Sequence, residues 1–477
     1  MSGASAPVSP QPMRRWPAPL VALLLALGGL IAGCASPAAA PALTSTPTAI
    51  PATATPAGPT ATPTPDLAVL LRDGGISIIE TAYNRLLDQY IEPLQPQALL
   101  RQAWSGASQE ARAEGLATPA APVYSGERNA DFAAFRAAYV PLANSVPDAK
   151  QLRSAAIRAM ASSLNDCHTF FLSPVASDTL LQTREGNGAV GIGVNLIGAP
   201  PLVTEVIAGG PADGAGVHVG DRILSVNGTD TSNTAPAGAL ELINGAEGTS
   251  VRLVVRRPGA AAPLTLNMLR ARVIPRNIET RVINAGAAGG GIGYVRLREF
   301  IQGGVAAGLR AALTGFEQQG VTKWIIDIRG NPGGFLDDAA TSLFVKSGVI
   351  VRDRGRGGAM HEDVASGDVL PVVRPTVLLT DNGTGSVAEM FAAALQEYGV
   401  AYVIGITTNG CAGFTDIQPL GDGSSLAVTT NENVMPLSGK PLHGVGVVPN
   451  EIVGRTQTDI ANARDPQLDA AVAHLSR

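Results

Sequence analysis

The sequence carries little charge imbalance: 34 Lys and Arg stand against 39 Asp and Glu, a formal net charge of -5 over 477 residues. A nucleic-acid reader needs a basic excess gathered on one face, so no nucleic-acid partner is expected. Histidine is scarce, five in all, and scattered. Neither His-Glu-x-x-His nor Cys-x-x-Cys spacing occurs, so the spacing indicates no metal site. No convincing phosphate loop is present; Gly289-Gly290-Gly291 reads more simply as a flexible turn before a strand. No cofactor is expected. Cysteine is sparser still, with only Cys34, Cys167 and Cys411.

What is present begins with a segment that is not fold. Arg14 and Arg15 form a basic region, and Val21 to Ile31 is an apolar stretch too short to span comfortably as a mature helix. It ends at Leu30-Ile31-Ala32-Gly33-Cys34, which resembles a bacterial lipobox. The resemblance implies cleavage before Cys34, lipidation of Cys34, and a protein held at the outer face of the cell membrane. An ordinary secretory signal is the alternative, and either implies export. Residues 35–65 are almost wholly Ala, Pro, Thr and Ser. Such a tract cannot bury enough apolar surface to offset its ordering entropy, and reads as an extended tether.

A chain of this length is too long for one compact core, so two or three domains are expected. From Leu67 to about Leu172 the pattern is helical: Leu86, Leu87 and Tyr90, and later Leu152, Ala156 and Met160, recur at three- and four-residue spacing. Pro119 to Pro122 break it as a loop. From about Gly186 to Arg272 the periods shorten, and Asn227-Gly228 signals a tight turn after a strand. From Gly291 onward strands and helices alternate. Strands are expected at Gly293 to Leu297, Trp324 to Ile328, Thr376 to Thr380 and Tyr402 to Gly405, with helices at Val305 to Phe316 and Ala388 to Tyr398. A last helix starts at Pro466 behind an Asp465 cap.

Two loops follow buried strands. In Asp327-Ile328-Arg329-Gly330-Asn331-Pro332-Gly333-Gly334, a Pro-Gly-Gly turn frees backbone N–H groups to meet a ligand oxygen. Asp381-Asn382-Gly383-Thr384-Gly385-Ser386 runs straight into an alanine-rich helix, and a serine there sits where orphan N–H groups favour negative charge. Ser386-x-x-Glu389 is also a capping box, and capping alone accounts for both residues.

Two resemblances emerge from these segments. Gly191-Ile192-Gly193-Val194 and Gly220-Asp221-Arg222-Ile223-Leu224-Ser225-Val226-Asn227-Gly228, followed by a helix, resemble a PDZ domain. This implies that an extended peptide adds to a sheet edge, its terminal carboxylate meeting N–H groups at Val190, Gly191, Ile192 and Gly193. The pair of catalytic-type loops, with Leu420-Gly421-Asp422-Gly423-Ser424 and Gly444-Val445-Gly446-Val447-Val448-Pro449-Asn450, resembles the C-terminal processing (tail-specific) serine proteases from about Arg72 to Val453. By that resemblance Ser386 is the nucleophile, and the N–H groups of Val387 and of Gly333 or Gly334 form the oxyanion hole.

The sequence departs from this family at its base. Typical members pair the serine with a lysine in a Phe-Gly-Lys-Gly turn, which here reads Asn409-Gly410-Cys411-Ala412. Thr415 stands where a supporting glutamine is usual. A thiol cannot act as that neutral amine, so the base is expected elsewhere. His168, in Asn165-Asp166-Cys167-His168-Thr169, falls where tricorn-like relatives place a catalytic histidine, and imidazole suits base work near neutral pH. His443 occupies the position of their glutamate; either it orients the site or the third partner comes from elsewhere. If His168 and Ser386 meet, Cys167 and Cys411 lie close, and a Cys167–Cys411 disulfide is expected in an exported chain.

The expected architecture is multidomain α/β: a signal over 1–33, a tether over 34–66, a helical cap over 67–182, a PDZ domain over 183–272, a crotonase-like layered peptidase core over 273–457, and a C-terminal helix over 458–477. The expected activity is an exported serine endopeptidase acting near protein C-terminal tails, its partners those tails and, through the lipid, a membrane. The alternative is an inactive peptide-binding scaffold of the same fold.

Overall fold

The computed structural model describes residues 66–477 apart from 186, 235, 275, 284–290, 302 and 463. The signal, Cys34, the tether up to residue 65 and most of the Gly289-Gly290-Gly291 turn lie outside the described residues. Among the described residues no helix is long and apolar enough to cross a membrane.

The N-terminal region folds as helices Ile76–Gln89, Pro96–Ala113, Arg128–Ala143 and Lys150–Ser162. Leu86, Leu87, Leu152, Ala156 and Met160 are all buried, so the helical spacing places them on the packed faces. A side chain at Gly106 would meet the Ala155 carbonyl at 2.4 Å, which is how closely two of these helices approach. The cluster also takes in Leu420, Leu426 and Val428 from the peptidase core, so cap and core share one interior.

One expectation needs correction. The helical reading to about Leu172 fails after Ser162: Asn165 takes φ 51°, and Phe170–Leu172 is a strand. It pairs antiparallel with Ser425–Val434, Phe170 opposite Ala427. A left-handed asparagine ends helical runs, and a Phe-Phe-Leu run suits a pleated surface better than another turn. This strand brings the segment 166–169 onto the core.

The PDZ region forms a sheet in the order Val194–Ile197, Leu202–Val206, Arg222–Val226, Ser250–Arg256, Leu264–Leu269, beside the helix Pro236–Ile243. Asn227 and Gly228 both take positive φ, 53° and 89°, as the two-residue hairpin between Val226 and Thr229 requires. Val194–Ile197 stands at an edge of this sheet.

The peptidase core is built on a six-stranded sheet ordered Ile278–Ile283, Ile292–Leu297, Trp324–Asp327, Thr376–Thr380, Tyr402–Gly405, Glu451–Ile452. The first pair is antiparallel and the rest parallel. Trp324–Asp327 and Thr376–Thr380 are buried at every residue, as expected of parallel strands covered on both faces. Helices Val305–Gln318 and Val387–Glu397 cover one face with Leu309, Leu313 and Phe391. Pro466–Leu475 covers the other with Ala471 and Leu475. Arg329 clamps that last helix, bonding both oxygens of Asp465 at 2.7 and 2.9 Å and both oxygens of Asp327 at 3.0 and 2.6 Å.

A second, antiparallel sheet places Ser425–Val434 between Phe170–Leu172 and Val349–Gly355, with Gly413–Pro419 also paired to it. This sheet carries the cap's strand to the rim of the first sheet.

Candidate active site

Ser386 follows the fully buried strand Thr376–Thr380 and is the N-cap of the helix Val387–Glu397. The adjacent strands Trp324–Asp327 and Tyr402–Gly405 run parallel to it, so their following loops emerge at the same end. Carboxyl ends of parallel strands are where open α/β sheets build sites. Ser386 takes φ 54° and ψ −126°, a backbone state that a side chain rarely adopts and that costs on the order of 1–3 kcal/mol.

The surroundings over-determine that state. The Ser386 N–H donates to the Cys411 carbonyl at 2.7 Å and to Glu389 Oε2 at 3.0 Å. Gly385 N–H donates to the Asn331 carbonyl at 2.9 Å, and Asn409 N–H to the Thr384 carbonyl at 2.9 Å. Glu389 is fully buried, and its other oxygen accepts from Gly410 N–H at 2.7 Å and from the Thr408 hydroxyl. Burial pushes its carboxyl above the usual range, while the bonds from Thr408, Gly410 and Ser386 pull it back. Glu389 therefore caps the helix as its spacing suggested, and it also ties the serine loop to the loop carrying Cys411.

His168 arrives from the other side. Its Nε2 lies 3.1 Å from Ser386 Oγ, across 218 residues of sequence. Asp166 holds the segment: its Oδ1 accepts the His168 backbone N–H at 3.0 Å, and its Oδ2 accepts the hydroxyls of Thr169 (2.8 Å) and Thr429. Thr415 donates to the His168 carbonyl at 3.0 Å. The ring is buried. Its pKa lies below the usual imidazole value, mainly through burial; His443 adds to the lowering and Asp166 opposes it. A neutral ring can accept a proton at neutral pH.

Cys167 and Cys411 are joined in a disulfide with Cα atoms 6.0 Å apart. The bond links the histidine segment to the third loop. Its sulfurs flank the ring, Cys411 Sγ 3.4 Å and Cys167 Sγ 3.6 Å from His168 Nδ1. Among the described hydrogen bonds no carboxylate reaches Nδ1.

Two alternatives that the sequence left open narrow here. His443 does not bond the His168 ring: its Nδ1 lies 3.1 Å from the Ala412 carbonyl, and its Nε2 3.9 Å from Glu432. The strand Ser425–Val434 ends by turning this histidine toward the backbone behind Cys411. Gly333 is not a free donor either, because its N–H bonds Asn331 Oδ1 at 2.9 Å, the side-chain turn that an Asn-Pro-Gly segment favours. The Gly333 carbonyl and the Phe335 N–H bond Phe300, at 2.8 and 3.0 Å. The intervening Gly334 N–H therefore points to the opposite side. Gly333 matters by lacking a side chain: a Cβ there would stand 2.6 Å from Ser386 Cβ and 2.8 Å from the Val387 nitrogen.

Val190, Gly191, Ile192 and Gly193 lie in the PDZ region instead. The carbonyls of Ile192 and Gly193 accept from Ala212 and Ile207, both at 2.9 Å. Val190 and Gly191 belong to a short strand, Ala189–Gly191, paired antiparallel with Ala271–Val273, and these bonds hold the segment beside the edge strand Val194–Ile197.

The buried parallel strands, the strained serine and the attached PDZ sheet define a layered α/β peptidase fold with a PDZ domain. Residues 291–453 match peptidase family S41 and residues 202–257 match the PDZ domain. The chain is 31% identical over 316 residues to the carboxy-terminal-processing protease of Bartonella bacilliformis, covering 65% of this chain and 71% of that one. It is 28% identical over 336 residues to the carboxy-terminal processing protease CtpA of Bacillus subtilis, covering 69% of each. The structure of the photosystem II D1 C-terminal processing protease superposes with a TM-score of 0.51 at 26% identity, covering 76% of this chain and 94% of that one. The chain belongs to peptidase family S41 and is related to its C-terminal processing proteases.

Proposed function

We propose that this protein is a serine endopeptidase that cleaves proteins near their C-terminal tails. The observation that carries the reading is the 3.1 Å approach of His168 Nε2 to Ser386 Oγ at a helix N-terminus. Neutral His168 takes the Ser386 proton as Oγ attacks the scissile carbonyl. The oxyanion is met by the N–H groups of Val387 and Gly334. The protonated ring then gives its proton to the leaving amine. Water, deprotonated by the same ring, releases the acyl group and restores Ser386.

The PDZ edge strand Val194–Ile197 takes the substrate tail by strand addition, with the carboxylate at Val190 to Gly193. The disulfide stands where the family lysine would, so positioning of His168 falls to Asp166, Thr415 and the Cys167–Cys411 link rather than to a carboxylate on the ring. We further propose that the chain is exported and anchored through Cys34 at the outer face of the cell membrane, an oxidising setting that suits the disulfide.

The replacement of the family lysine by Cys411 favours one other reading, a scaffold that binds tails without cutting them. A fluorophosphonate probe separates the two. Labelling of the native protein that disappears in Ser386→Ala and His168→Gln supports the peptidase. A folded native protein that takes no label, while still binding peptides ending in an apolar carboxylate, supports the scaffold.

A further inference from the structure

The sulfurs beside His168 have a second chemistry. Cys167 is exposed, Cys411 half-buried and His168 buried, and one sulfur or nitrogen atom from each lies within 4.8 Å of the others. In the disulfide state neither sulfur is a thiolate, and the group binds nothing. Cys167, at the surface, is open to attack by a dithiol reductant. That reaction breaks the Cys167–Cys411 bond, forms a disulfide in the reductant, and leaves two protein thiols in exchange for the reductant's two.

We propose that the reduced chain holds a soft divalent cation, zinc above all, on Cys167 Sγ, Cys411 Sγ and His168 Nδ1, and that this binding switches the base off. The distances favour it. Tetrahedral zinc with ordinary Zn–S and Zn–N lengths sets sulfur and nitrogen about 3.6 Å apart and two sulfurs about 3.8 Å apart. His168 Nδ1 already lies 3.4 and 3.6 Å from the two sulfurs. Only the sulfurs must part, from bonded contact to neighbouring ligand positions. Cys411 Sγ is also 3.8 Å from Nε2, so the nearer of the two ring nitrogens to this sulfur is Nδ1.

The cradle does not depend on the disulfide alone. Asp166 bonds the His168 N–H and the hydroxyls of Thr169 and Thr429, Thr415 bonds the His168 carbonyl, and Phe170–Leu172 is paired into the sheet. On the other side the Cys411 carbonyl is held by the Ser386 N–H. Reduction therefore leaves both halves in place. Three protein ligands and an open fourth position for water complete a zinc site. On binding, the two thiols release two protons to solvent and the cation takes the thiolates.

The consequence follows from the two nitrogens of one ring. A neutral imidazole that gives its Nδ1 lone pair to a metal carries its proton on Nε2. That nitrogen faces Ser386 Oγ, and with a proton already on it, it cannot accept another. The metal site rests on the geometry of the three ligands; the loss of turnover rests on the serine–histidine reading above.

The test uses the full chain, reduced with a metal-free phosphine and titrated with cobalt(II) as a coloured stand-in for zinc. The expected result is one cobalt per chain, with thiolate-to-cobalt charge-transfer and tetrahedral visible bands that zinc bleaches. No such bands arise in the oxidised chain. The Cys167→Ser and Cys411→Ser variants lose them, and His168→Gln weakens them and moves the visible maximum. Reduced, folded protein with no thiolate–cobalt band overturns the metal site, as does an unchanged band in both cysteine variants. Fluorophosphonate labelling of the reduced chain, measured with and without zinc, reads the second claim separately. A bound metal that leaves labelling intact overturns the switch while leaving the site, and absence of labelling in the oxidised chain overturns the peptidase reading instead.

Discussion

The backbone N–H of Ser386 donates to the carbonyl oxygen of Cys411 over 2.7 Å. The loop that carries Cys411 is thus coupled to Ser386 through the main chain, whatever the Cys411 side chain does. The sulfur is left free to bond Cys167.

The strained backbone of Ser386 makes a stability prediction independent of activity. Ser386→Ala keeps the φ of 54° that a Cβ resists, whereas Ser386→Gly relaxes it. Both variants lose fluorophosphonate labelling, and the glycine variant is more stable than the alanine variant by about 1 kcal/mol. Urea unfolding midpoints of the two decide it. Equal midpoints mean that the surrounding bonds do not hold the residue under strain.

Glu389 accepts three donors in a buried site, so its removal leaves the Gly410 N–H and the Thr408 hydroxyl without this acceptor, while the Ser386 N–H keeps the Cys411 carbonyl. Glu389→Ala is expected to lose about 2–4 kcal/mol of stability. Glu389→Gln loses less, because its amide oxygen still accepts. The comparison needs only denaturant midpoints and slopes.

Gly333 cannot take a side chain without moving Ser386 or Val387. Gly333→Ala is expected to cut fluorophosphonate labelling by more than about 100-fold while the far-ultraviolet circular dichroism spectrum stays that of the native fold. Full labelling in this variant places the oxyanion donors elsewhere.

For the oxidised protein, pH dependence follows from His168. Its pKa is lowered chiefly by burial, with His443 lowering it further and Asp166 raising it. The acid limb of the labelling rate is expected below the free-imidazole value of about 6.5, and His443→Asn moves it upward. The unfolded chain takes up the proton first as pH falls. The stability contribution of neutral His168 is therefore complete above about pH 6.5 and is lost between there and the native pKa. Comparing urea midpoints of the native protein and His168→Gln across that interval reads it; an identical pH slope in both means the ring titrates as it does in water.

The sequence revealed much of the core because its parallel strands are continuous apolar runs. Trp324 to Ile328 and Thr376 to Thr380 could be read that way, as could the Asp465–Pro466 start of the last helix. The turn at Asn227-Gly228 carried its own chemistry. Less legible was whatever depends on pairing across long separations. The strand Phe170–Leu172 is three residues long and gains its identity only from Ser425–Val434. The Asn331 side chain closing on Gly333 removed a donor that the Pro-Gly-Gly turn seemed to offer. Scattered histidines and cysteines gave no metal spacing because Cys167 and Cys411 are 244 residues apart, and proximity of that kind has no local signature.

The pairing of Phe170–Leu172 with Ser425–Val434 also sets an order of events. A ribosome makes the histidine early and the serine late, and the strand that seats the histidine later still. Until that last ribbon is in place the two groups have no reason to meet. The approach of His168 to Ser386 is therefore a property of the whole fold rather than of either segment.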